Sequence, residues 1–111
     1  MAQLREVNVD EALELLDEGA LLIDVREDNE WQAGRSAQAQ HIALAELPDH
    51  LADLPKDQLV VCVCRSGARS LRATGFLIEQ GFEAVNLSGG MQAWESAGQP
   101  LVADGGEPAI I

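Results

Sequence analysis

Seven consecutive residues, Cys64-Arg65-Ser66-Gly67-Ala68-Arg69-Ser70, place one thiol among two guanidinium groups, two hydroxyls and a glycine. They follow an apolar run, Leu59-Val60-Val61-Cys62-Val63, that reads as a strand, and they precede Leu71 to Gln80, which reads as a helix. A cysteine in the turn between a buried strand and a helix faces the unpaired N–H groups of the helix start, and those favour an anion. Such a setting lowers a thiol pKa from about 8.5 into the range of about 3.5 to 7.5. A fall to about 6.5 would raise the thiolate fraction at neutral pH from roughly 3% to roughly 75%. The chemistry this spacing suggests is nucleophilic attack by Cys64. The competing reading, a structural cysteine before a solvated basic turn, does not explain why polar residues and a glycine crowd directly behind it.

The chain has 111 residues and a formal net charge of −12, from 19 acidic against 7 basic side chains. Nucleic acid and anionic membrane surfaces are therefore poor partners on bulk electrostatics. Three of the seven cations, Arg65, Arg69 and Arg72, lie within eight residues of Cys64. An acidic chain that gathers its arginines beside one thiol is arranged to receive a small anion there. Pairing of these arginines with neighbouring carboxylates is the alternative. The two cysteines stand as Cys62-x-Cys64, a separation at the limit of disulfide geometry along a strand, so no bridge is expected between them. Free thiols and the absence of an apolar leader or membrane-length run lead to the expectation of a cytoplasmic protein. One cysteine pair and two isolated histidines do not make a zinc site, so neither metal nor organic cofactor is expected.

The elements that must position Cys64 follow from periodicity. Leu4 to Val7 reads as a first strand. Asn8 reads as a helix cap with Glu11 completing a capping box, and Val9, Ala12, Leu13 and Leu16 supply one apolar face before Gly19 stops the helix. Ala20 to Ile23 is a continuous apolar strand that ends in Asp24-Val25-Arg26-Glu27. Charged residues at the C-terminal end of a parallel strand are where open α/β sheets place their sites. Asp24 and Arg26 thus either support the site or form a structural ion pair. Asp28 to Gln32 reads as a capped helical turn with Trp31 packed inward, and His41 to Leu44 as a short strand, with His41 a hydrogen-bonded structural residue. A short helix is expected between Pro48 and Leu54, with His50 on its surface. Ala84 to Leu87 is a fifth strand, followed by Ser88-Gly89-Gly90 and a helix with Met91, Trp94 and Ala97 on its core face. Residues 1–100 form one domain in this reading, and 101–111, with Gly105, Gly106 and Pro108, form a C-terminal tail. Alternating strands and helices imply an α/β domain with a mostly parallel sheet and helices on both faces.

Three motifs together resemble a single-domain rhodanese: Ile23-Asp24-Val25-Arg26-Glu27 with Glu30-Trp31 and Gly34, Cys64-Arg65-Ser66-Gly67 with Arg69-Ser70, and Leu87 with Gly89-Gly90 and Trp94. The resemblance runs from about Leu4 to Gln99. It implies a three-layer α/β/α fold with a five-stranded parallel sheet, and a cysteine persulfide cradled by the loop Arg65, Ser66, Gly67, Ala68, Arg69 and Ser70. The sequence departs from the family at Arg35-Ser36-Ala37-Gln38-Ala39, where many members carry His-Ile-Pro-Gly-Ala. Arg35, in place of that histidine, joins Asp24 and Arg26 as a candidate supporting residue.

The implied activity is sulfur transfer: Cys64 takes a sulfane sulfur from a donor such as thiosulfate and passes it to a thiol or to cyanide. Backbone N–H groups from Arg65 to Ser70 would hold the outer sulfur, and Arg65 and Arg69 would favour the thiolate. A phosphatase or arsenate reductase on a similar fold would separate its Cys and Arg by five residues; here Cys64 and Arg69 are separated by four, a smaller ring that suits one sulfur atom. A persulfide relay serving a protein partner is a second alternative. Cys62 would matter to it as a resolving thiol, although strand alternation favours a core position.

Overall fold

The structure, a computed structural model, describes residues 5–111. Five strands, β1 (Glu6–Val7), β2 (Leu21–Asp24), β3 (Gln40–His41), β4 (Val60–Val63) and β5 (Ala84–Leu87), form one sheet in the order β1-β5-β4-β2-β3. All four pairings are parallel. Leu4, expected to open the first strand, lies outside the described residues. Four helices, α1 (Val9–Asp17), α2 (Asp28–Ala33), α3 (Ala68–Glu79) and α4 (Gly90–Ser96), and a 3-10 segment at Leu44–Asp53 complete the domain.

β4 is central, with Val61 in register between Leu22 of β2 and Val85 of β5. Both of its faces are covered, which is why its sequence is apolar throughout. Alternation divides it: Val60 and Cys62 join the core under α3 and the 3-10 segment, while Val61 and Val63 join the core that includes Ala12 of α1 and Trp94 of α4. The three-layer arrangement and the five-stranded sheet are those expected. The capping box of α1 is present, with the Glu11 amide on Asn8 Oδ1 at 2.8 Å and the Asn8 amide on Glu11 Oε1 at 3.0 Å.

Three boundaries differ from expectation. α3 begins at Ala68 rather than Leu71, because Gly67 adopts φ +115° and closes the turn; the Leu71 amide then already reaches the Gly67 carbonyl at 3.0 Å. Arg69 and Ser70 are therefore first-turn helical residues. The strand expected at His41–Leu44 is instead Gln40–His41, after which single bonds from the Ile42 and Leu44 amides still tie the chain to β2 and Val25. Pro48 falls inside the following segment, and without an N–H to donate it accompanies 3-10 turns rather than a regular helix.

The tail lies back on the domain. Arg35 and Val102 exchange backbone hydrogen bonds at 2.9 Å in an antiparallel bridge, and the Ala109 amide donates to the Ala33 carbonyl at 2.9 Å. Ile110 packs against the α1/α4 core. Gly34 is required here by proximity: a Cβ would lie 2.9 Å from the Ala109 carbonyl carbon.

Candidate active site

Cys64 directly follows the last residue of β4, on the same face as Cys62, and is 1% exposed. Its sulfur receives the Gly67 amide at 3.1 Å and the Ser70 hydroxyl at 3.3 Å. The Gly67 carbonyl competes for the Ser70 proton at 3.3 Å, and a negative sulfur wins that competition. The outer side of the loop is fixed by α4, whose start donates Met91 N–H to the Cys64 carbonyl at 2.8 Å and Gln92 N–H to the Arg65 carbonyl at 3.0 Å. Two loop carbonyls are thereby turned toward α4, which leaves N–H groups to face the sulfur. Gly90, at φ +59°, permits this approach: a Cβ there would lie 2.6 Å from the Arg65 carbonyl oxygen. Asn86 Nδ2 adds a bond to the Gly67 carbonyl at 3.2 Å.

Burial by itself pushes the Cys64 thiol up, but the Ser70 hydroxyl and the amides of Ser70, Gly67 and Ser66 outweigh it and hold the thiol below its ordinary value. Two residues earlier, burial pushes Cys62 up to about 12, against a weaker pull from the Thr74 hydroxyl.

The arginines from Arg26 to Arg72 divide into four settings. Arg69 is clamped by Glu30 in a two-point ion pair, Nη1 on Oε1 at 2.6 Å and Nη2 on Oε2 at 2.8 Å, so it braces the loop against α2. Arg65 and Arg72 are exposed, with no ion-pair partner among the described residues. Arg26 is fully buried with Asp24: Nη2 reaches Asp24 Oδ2 at 2.7 Å and the Gly34 carbonyl at 2.7 Å, and Nη1 reaches the Glu30 carbonyl at 3.3 Å. This pair does not touch Cys64. It ties the end of β2 to the backbone of α2, the element that carries the Glu30 carboxylate. Arg35 lies elsewhere, over Trp31 at 4.8 Å and bonded to Asp104 at 2.6 Å. Trp31 is correspondingly half-buried rather than packed inward, stacked on His41 at 4.7 Å. His41 is hydrogen-bonded as expected, its Nε2 on the Arg26 carbonyl at 2.7 Å.

Sequence reasoning left Glu30 without a named partner and passed over Asn86. For Asn86 a signal existed, an amide side chain in the middle of an apolar strand. Glu30 stood in the first family motif, but a capping box with Glu27 accounts for it equally well.

A cysteine cradled by amides at a strand–helix turn on a parallel α/β sheet defines the class, and comparison with known proteins agrees with it. The family model of the rhodanese-like domain matches residues 8–97. The chain belongs to that family. It is 48% identical over 84 residues to YtwF of Bacillus subtilis (strain 168), covering 76% of this chain and 82% of that protein. It is 35% identical over 95 residues to the thiosulfate sulfurtransferase GlpE of Pseudoalteromonas translucida, covering 84% and 90%. The crystal structure of a rhodanese-related protein from Thermoplasma volcanium superposes with a TM-score of 0.82 at 32% identity, covering 88% of this chain and 97% of that one.

Proposed function

We propose that this chain is a sulfurtransferase that carries sulfane sulfur as a persulfide on Cys64. The observation that supports it most directly is the pair of donors on the Cys64 sulfur, the Gly67 amide and the Ser70 hydroxyl, within a loop whose carbonyls are engaged by α4. In the first step the Cys64 thiolate attacks the outer sulfur of thiosulfate. The sulfur–sulfur bond breaks, and sulfite leaves with both electrons of that bond. The persulfide left on Cys64 carries its negative charge on the outer sulfur, where the loop amides stabilise it. In the second step a thiolate or cyanide attacks that outer sulfur, and the bonding electrons return to Cys64 as thiolate. Two half-reactions through a covalent intermediate give ping-pong kinetics.

Residues 1–100 are the working domain in this reading, with 101–111 a tail docked on it, and the two free thiols suit a reducing cytoplasm. The clamp of Glu30 on Arg69 counts against a phosphatase, because a guanidinium held by its own carboxylate is not free to fork around a tetrahedral oxyanion. The test is mass spectrometry after incubation with thiosulfate, comparing the native chain with Cys64→Ser. One added sulfur on Cys64, absent from the variant, is expected, together with loss of thiosulfate:cyanide turnover to background. Sulfur on Cys62, or on neither cysteine, refutes the persulfide.

A further inference from the structure

Asn86 lies within β5, in register with Cys62 of β4 and Glu6 of β1, and is 1% exposed. An amide buried in an apolar strand costs stability unless its polar atoms are paired. Nδ2 is paired, donating to Glu6 Oε2 at 3.2 Å and to the Gly67 carbonyl at 3.2 Å, but Oδ1 has no partner among the described residues. Both neighbours of Nδ2 are acceptors, which fixes the orientation of the amide: turned over, it would set oxygen against oxygen at each contact. Leucine, of similar size, would carry no unpaired oxygen, and what it lacks is the donor on Gly67.

Three donors compete for the Gly67 carbonyl: the Leu71 amide at 3.0 Å, Asn86 Nδ2 at 3.2 Å and the Ser70 hydroxyl at 3.3 Å. A carbonyl oxygen has two lone pairs. The two N–H donors fill them, and the hydroxyl, the longest of the three contacts, is left its other acceptor, the Cys64 sulfur at 3.3 Å. We infer that Asn86 is a positioning residue for the reactive thiol: it fills the second acceptor site of the Gly67 carbonyl and so sends the Ser70 hydroxyl to the Cys64 sulfur. The inference deepens the proposed function, since the thiolate it favours is the one that takes up sulfur there. The effect is largest before charge forms. A neutral thiol is a weak acceptor, so with the carbonyl open the hydroxyl would rest on Gly67, and ionisation would have to break that bond. With the site filled, the donor already points at the sulfur when the thiolate appears. Of the charged groups nearby, Glu6 meets the amide through its other hydrogen, and Arg69 is held by Glu30 and bonds none of these atoms.

The test is the pH profile of Cys64 alkylation by iodoacetamide, followed by mass. It needs no sulfur donor, so it decides the role of Asn86 whether or not Cys64 loads a persulfide, and the thiosulfate experiment decides the latter separately. In Asn86→Leu the rate at neutral pH should fall about threefold, the effect of one hydrogen bond of ordinary strength. The midpoint should move to higher pH, and the plateau at high pH should be unchanged. In a Ser70→Ala background the same substitution should change nothing, because the hydroxyl it redirects is gone. An unmoved profile in Asn86→Leu, or an equal fall in the Ser70→Ala background, overturns the assignment. A shifted urea midpoint with an unmoved profile shows a structural role alone and overturns it as well. Should Asn86→Leu not fold, Asn86→Val, a strand former without a side-chain donor, decides by the same two comparisons.

Discussion

Cys62 and Cys64 sit two residues apart at the end of one strand, in the same core cluster, and are 0% and 1% exposed. Surface exposure does not separate them, yet one thiol is driven up to about 12, chiefly by burial, and the other is held below its usual value. The difference is in the hydrogen-bond donors on each sulfur, the Ser70 hydroxyl first and the loop amides with it. At Cys62 the strand amides and carbonyls are committed to the ladder with β2 and β5, and the Thr74 hydroxyl donates to the Ser70 carbonyl at 2.8 Å. At Cys64 the ladder has ended, and the chain turns so that amides face the sulfur. The Cys64 thiolate is therefore favoured where the sheet stops and donors can turn toward the sulfur.

The most damaging way to break this contrast without touching either cysteine is Gly90→Ala. The new Cβ meets the Arg65 carbonyl at 2.6 Å and imposes a side chain on φ +59°. α4 must then withdraw from the loop, and the Cys64 and Arg65 carbonyls lose their donors. A stability loss of about 2–4 kcal/mol is expected in urea titration, with Cys64 alkylation slowed well beyond that of the next variants. Cys62 should remain unreactive, because β4 itself is not displaced. An unchanged Cys64 reactivity in a folded Gly90→Ala protein would show that the α4 contacts do not shape the cradle.

Glu30→Gln removes the brace from outside the loop. The Arg69 guanidinium holds the Glu30 carboxyl below its usual 4.5, against burial, which pushes it up. A carboxylate with a depressed folded pKa stabilises the fold fully above the unfolded value of about 4.5 and loses that contribution as pH falls through the lower folded value. The native chain should therefore lose stability on acidification where Glu30→Gln loses less, and the two urea midpoints should converge at low pH. At neutral pH the variant should be weaker by about 1 kcal/mol, since Arg69 is partly exposed and solvent screens the pair. Identical pH profiles for the two proteins would show that the clamp is energetically idle.

How much of this was legible beforehand follows the same division. The strand, the Cys64 loop and the αβ alternation could be read because apolar runs and a Gly-containing turn are local signals. The five-stranded sheet followed from the family resemblance, and the order of its strands was not read at all, since pairing across a sheet leaves no local signal. The buried Asp24–Arg26 pair remained one of two readings, because its meaning depends on Gly34 and Glu30 carbonyls brought near by tertiary packing. The partners of Arg35 were hidden for a related reason: they are Trp31 and Asp104, and one of them lies 69 residues away in the tail. No periodicity marks an irregular strand-like contact between Arg35 and Val102, so the segment from Gly34 to Gln40 could be read only once the tail was in place.

A finer break acts on one donor. Ser70→Ala deletes the hydroxyl at 3.3 Å from the Cys64 sulfur and leaves the Gly67 amide. The Cys64 pKa should rise, so the midpoint of its alkylation profile moves to higher pH and the rate at neutral pH falls several-fold. An unmoved midpoint would assign the whole effect to the amides.

The smallest effect on the sulfur chemistry belongs to the other half of the pair. Cys62→Ala leaves every donor on Cys64 in place and removes only a buried sulfur between β4 and α3, for a packing loss of about 1–2 kcal/mol. Persulfide loading and release should match the native rates, because a thiol held up to about 12 by burial supplies almost no thiolate at neutral pH to attack its neighbour. The alternative is specific: if Cys62 resolves the Cys64 persulfide, its removal should prolong the lifetime of the loaded form in the absence of acceptor. Following the decay of the added mass in both proteins decides between the two. Equal lifetimes leave Cys62 as core, and the Ser70 hydroxyl and loop amides on the Cys64 sulfur then remain what sets the reactive thiol apart from it.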